Sequence, residues 1–159
     1  MIRLLTMSQS LLICAALLAS VPCLAAEKPF RPPAVPLITH DPYFSIWSMA
    51  DNLTDEPTKH WTGTPQSLTG LLRVDGKNWR IMGIDPARAA TTEAMPQTSV
   101  RVFPTRTVYQ FANDAIDVTL EFVTPAFPDD LDILSRPATY IVWRVRSRDG
   151  RDHDVSLYF

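Results

Sequence analysis

The residues of this chain whose types could do chemistry cluster in THDPYFSIWS, residues 39–48, where His40 and Asp41 stand beside Tyr43, Phe44 and Trp47. In a catalytic reading, Asp41 serves as a base, or His40 as an acid or base, in a pocket walled by Tyr43, Trp47 and Trp61. In a structural reading, Asp41 opens a turn before Pro42 and its side chain accepts nearby backbone N–H groups. Neighbours in an extended segment point to opposite sides, so His40 and Asp41 are not expected to share one pocket, which favours the structural reading. His60 and Trp61 form a second pair, with Trp61 expected to pack more than to bind. His40 and Asp41 are thus the candidate catalytic residues. Tyr43, Trp47, His60 and Trp61 are the candidate substrate-binding residues.

Other motifs are negative. His40, His60 and His153 lack metal-ligand spacing. PDDLD, residues 128–132, clusters carboxylates but lacks the glycine and terminal glutamate of a calcium loop, and reads as a solvated loop. The glycines at 63, 70, 76, 83 and 150 are isolated, so there is no phosphate-binding loop and no Gly-x-Ser-x-Gly elbow. No metal and no cofactor is expected. A formal net charge of −2 with no basic stripe argues against nucleic acid as a partner. Asn52-Leu53-Thr54 is a glycosylation sequon, meaningful only in a host that glycosylates exported proteins.

The elements that must position these residues are strands. A hydrophobic content of 46% is enough for a core, and 14 prolines against 5 glycines suit strands bounded by proline. Residues 27–36 (EKPFRPPAVP) form an extended approach, and residues 49–70 read as a long polar surface loop. In GLLRVDGKNWRIMG, Asp75-Gly76 predicts a two-residue type I′ hairpin. Residues 85–97 are a connector whose alanines could make a short helix. From Thr98 the pattern has period two: Ile116, Val118, Leu120 and Phe122 share one face, and Ile141, Trp143 and Val145 another, with Arg144, Arg146 and Arg148 outward. Asp149-Gly150 predicts a second hairpin, returning through Val155, Leu157 and Phe159. The expected fold is mainly β: an incomplete antiparallel β-sandwich preceded by an extended, loop-rich N-terminal segment.

Arg3 and the apolar run Leu11–Leu18, followed by Cys23-Leu24-Ala25, predict a signal peptide cleaved after Ala25 or Ala26. An uncleaved anchor, or a lipidated Cys23, are the alternatives. Both cysteines, Cys14 and Cys23, fall inside that signal, so the mature chain has no disulfide and no thiolate site. The expected localisation is secreted or periplasmic, without stable membrane insertion after cleavage. Phe159 falls within a strand pattern, which suggests the N-terminal part of a longer protein. The expected division is 1–25 signal peptide, 26–90 leading segment with a hairpin, and 91–159 the start of a truncated sandwich domain.

RPPAVPLITHDPYFSIWS, followed by DNLTDEPTKHWTGTPQSLTGLLRVDGKNWRIMG, resembles the N-terminal region of the glutaminase A family, large secreted proteins of fungi with bacterial relatives. The resemblance covers residues 31–83 and continues more loosely to 159. It implies a hydrolase that converts L-glutamine to L-glutamate and ammonia, with an all-α toroid domain further along as the intramolecular partner of this segment. It carries no catalytic residue onto any position here. The expectation is therefore a fragment that is non-catalytic alone and supports a missing catalytic domain. The alternatives are the sandwich part of a carbohydrate-active protein, taking a glycan instead of a small molecule, or a stand-alone binding module.

Overall fold

The computed structural model describes residues 31–84 and 92–159. The expected signal peptide, both cysteines and the helix-forming part of the 85–97 connector lie outside them. The described residues are mainly β, in three antiparallel sheets.

β1 (Val35–Thr39), β2 (Ser45–Ser48) and β3 (Lys59–His60) form the first sheet, in that order. β4 (Gly70–Val74) and β5 (Lys77–Met82) form the expected hairpin. Its turn residues have the positive φ that a type I′ turn requires, 48° at Asp75 and 86° at Gly76. β6 (Gln97–Phe103), β7 (Arg106–Ala112), β8 (Ile116–Val123) and β9 (Tyr140–Ser147) make a four-stranded meander. The β7–β8 turn is closed by Asn113, whose Oδ1 accepts the amides of Ala115 (2.9 Å) and Ile116 (2.8 Å). The PDDLD stretch leads into one helical turn, α1 (Leu131–Leu134), which Asp130 caps by accepting the amide of Ile133 at 3.0 Å.

Alternation in β8 sets the core. Ile116, Val118, Leu120 and Phe122 are buried, as are Tyr109 and Phe111 on the same face of β7. Val35, Leu37 and Ile38 of β1, Ile46 of β2 and Leu72, Val74, Ile81 and Met82 of the hairpin complete one apolar cluster with them. The meander therefore faces the two smaller sheets across a shared core, as in a sandwich. The Thr107 hydroxyl donates across to the carbonyl of Pro36 at 2.7 Å. Trp143 of β9 lies over Gly70 of β4, where an added methyl would meet its Cη2 at 3.4 Å. The outward face of the meander is charged: Arg144 and Arg106 reach Glu121, and Arg148 reaches Asp117 at 3.9 Å.

Three local expectations differ from the structure. Residues 49–70 are partly interior: Leu53, Thr54 and Thr58 are buried, because Gly83 donates to the Leu53 carbonyl at 2.9 Å and draws the loop down. At Gly83, φ is 69° and a Cβ would sit 2.1 Å from the Leu68 carbonyl oxygen, so only glycine permits this approach. Val145 is 40% exposed, not interior, near the end of an edge strand.

The third difference is topological. Asp149-Gly150 does not make a hairpin. β10 (Val155–Tyr158) pairs with β4, not with β9, through Val155↔Val74 and Leu157↔Leu72. Among the described non-glycine residues only Asp75 has positive φ, so Asp149 cannot supply the first position of a type I′ turn. The chain instead turns a corner and crosses from the meander to the sheet begun by the hairpin.

Candidate functional site

Residues 40–44 connect β1 to β2. Pro42 fixes its own φ, and Asp41 does the rest. Its Oδ1 accepts the amides of Tyr43 (2.7 Å) and Phe44 (2.9 Å), and the amide of His40 donates to the Phe44 carbonyl at 3.1 Å. The two amides, that of Phe44 first, hold the Asp41 carboxyl below the usual carboxylate range, so it is ionised at neutral pH. His40 points away from its neighbour. Its ring stacks on Phe44, centroids 5.3 Å apart, and its Nε2 lies 3.0 Å from Thr139 Oγ1, which in turn contacts Thr124 at 3.0 Å.

The second pair closes on the same turn. β3 is only two residues long, but Ile46↔His60 and Trp47↔Lys59 pairing sets His60 beside β2. Thr58 pins the following loop: its hydroxyl donates to the Gln66 carbonyl (2.6 Å) and accepts the Leu68 amide (2.8 Å). His60 Nε2 and Trp61 Nε1 then both lie 2.8 Å from the Pro42 carbonyl. A carbonyl only accepts, so Nε2 carries the proton. In the neutral ring Nδ1 is then the acceptor, consistent with the Thr62 amide at 3.3 Å and its hydroxyl at 2.8 Å.

The result is a shallow open trough of about 380 Å³, lined by Thr39, His40, Asp41, Pro42, Ser45, Trp47 and Trp61. Four of the six candidates meet there. Trp47 is half-buried and donates to Ser45 Oγ at 2.6 Å. Trp61 is 56% exposed. His60 serves as a brace behind Pro42, and Tyr43, 91% exposed, stands clear of the trough. His40 and Asp41 share no hydrogen bond, so they do not form an acid–base couple. Among the described residues there is no group of His, Cys, Asp and Glu able to hold a metal. The arrangement can present a flat aromatic face beside an ionised carboxylate. The hydroxyl that His40 meets, that of Thr139, is not among the residues lining the trough.

A second polar constellation was not visible in the sequence. His153 has Nδ1 2.7 Å from Asp75 Oδ2 and Nε2 2.9 Å from Asp149 Oδ1, with its side chain only 7% exposed. Carboxylates accept and do not donate, so both ring nitrogens must carry protons. Asp75, then Asp149, raise the His153 pKa above its ordinary value. The Arg151 amide, then His153, hold Asp149 well below the carboxylate range, and His153, then the Asp154 amide, lower Asp75. Arg151 also pairs with Asp149 at 2.6 Å. This clasp joins the β4–β5 turn to the corner before β10. The only sequence signal for it was the pair of Asp-Gly steps with a histidine four residues after the second.

With this geometry in place, comparison with known proteins identifies the class. The family model described as a domain of unknown function (DUF4964) matches residues 9–92, and a second, also a domain of unknown function (DUF5127), matches residues 105–159. The chain belongs to the DUF4964 family. It is similar to glutaminase A of Aspergillus oryzae (strain ATCC 42149 / RIB 40), 32% identical over 139 residues, which is 82% of this chain and 20% of that protein. The resemblance to the N-terminal region of the glutaminase A family is thus shown, and the chain spans about a fifth of the length of this relative. No solved structure matches.

Proposed function

We propose that this chain is the N-terminal part of a glutaminase-like amidohydrolase, secreted or periplasmic, whose β-sandwich supports a catalytic domain elsewhere in the same protein and does not itself cleave the amide. The observation that carries the reading is the 32% identity to glutaminase A along most of this chain. The site geometry is consistent with a supporting role: Asp41 holds a turn, and His40 is tied to Thr139, which does not line the trough. No helix among the described residues is long and apolar enough to cross a membrane, which fits the proposed location.

The test is an ammonia-release assay with L-glutamine on the protein expressed from its whole reading frame, beside this chain alone. The expected result is turnover by the former and none by the latter. Absence of ammonia from the whole protein, with cleavage of a glycan in a parallel panel, would sink the glutaminase reading.

A further inference from the structure

The Trp61 indole is a large apolar plate left facing solvent, yet it is not loose. Its Nε1–H donates to the Pro42 carbonyl, and His60 braces the same oxygen. A plate already fixed in orientation loses little entropy when something settles on it. Thr39 and Asp41 line the same trough. The hydrogen bonds from the Tyr43 and Phe44 amides go to Asp41 Oδ1, and among the described residues none reaches Oδ2.

We propose that this trough binds a neutral pyranose sugar, seated with its C–H face on the Trp61 indole and its hydroxyls directed to Asp41 and Thr39. The aromatic face carries the negative lobe of the ring quadrupole, and the aliphatic hydrogens of a pyranose carry the complementary positive charge. The ionised carboxylate accepts sugar hydroxyls and repels anions. A purely apolar ligand would cover Asp41 without pairing it. A space of about 380 Å³ is at the small end of ligand sites, which suits one or two sugar rings. The sugar site stands apart from the proposed amide hydrolysis and does not need it.

The experiment is a titration of the full chain with cellopentaose, xylopentaose, mannopentaose and chitopentaose, read at the Trp61 Nε1–H signal by NMR. At least one sugar should shift that signal with millimolar or tighter affinity, and Trp61→Ala should weaken binding about tenfold or more, as loss of one stacking platform does. Trp61→Phe keeps a ring and should weaken it less. The wild-type titration decides the matter even where Trp61→Ala fails to fold. No shift with any of the four at about 10 mM, well above a millimolar Kd, overturns the proposal. So does binding by a folded Trp61→Ala that matches wild type, or a shift with L-glutamine and none with the sugars.

Discussion

Two histidine–aspartate groups in this protein teach opposite lessons. His40 and Asp41 are adjacent in sequence and do not touch: one reaches Thr139, the other folds its own turn. His153 and Asp75 are 78 positions apart and lie 2.7 Å from each other, with Asp149 on the far side of the ring. The first group arranges an aromatic surface and is anchored by packing beneath it. The second is a charged clasp between two parts of the fold. Adjacency in an extended chain separates side chains, whereas strand pairing brings distant ones together.

The packed side of this contrast should give the largest effect when broken. Leu53 is 1% exposed and is held from both ends, its amide to Gln97 and its carbonyl to Gly83. Leu53→Ala should cost about 2–5 kcal/mol in chemical denaturation, with little dependence on pH. A cost near zero would mean that the 49–70 loop does not share the core.

The clasp should behave differently. The folded-state pKa of His153 is raised, so its contribution is fully present below about 6.5, the ordinary histidine value, and is lost as pH rises through the folded pKa. Asp75 and Asp149 are lowered, so theirs is present above about 3.9 and lost as pH falls through their folded values. The charged groups facing the ring are these two carboxylates, with Arg151 on Asp149. His153→Gln should lower the melting temperature near pH 5–6 and converge on wild type well above neutrality. A difference of constant size across pH would contradict the clasp.

Asp41 sharpens the other arm. Asp41→Ala removes the acceptor for two amides, and exchange of the Tyr43 and Phe44 amide hydrogens should quicken about five- to tenfold, the worth of one net hydrogen bond. Asp41→Asn keeps an acceptor oxygen and should restore most of the protection. Equal exchange in all three proteins would remove Asp41 from the turn. The smallest effect belongs to Tyr43, 91% exposed: Tyr43→Ala should change stability by no more than about 0.5 kcal/mol.

How much of this was legible in the sequence follows the same division. β8 was readable because each of its alternate positions had one possible environment, and Asp75-Gly76 because its turn is local, closed within the dipeptide by two residues that tolerate positive φ. The Asp-Pro turn at Asp41 was readable for the same reason. Asp149-Gly150 carries the same dipeptide, yet Asp149 is held by the Arg151 amide at 3.0 Å and by His153, partners chosen by the corner and not by the turn. Strands as short as β3 carry too few residues for a period, so the burial of Thr58 and the placing of His60 were not visible. The aromatics of the trough were countable, but which of them faces solvent depends on Pro42 and on hydrogen bonds from residues 18 and 19 positions away.

The measurement closest to the heart of the contrast is an NMR pH titration of the His153 ring in the intact chain. If the corner before β10 closes on the β4–β5 turn, His153 titrates above about 6.5 and both ring N–H signals are protected from solvent below that point. Titration at or below about 6.5, with freely exchanging ring protons, would show that the two Asp-Gly corners do not meet.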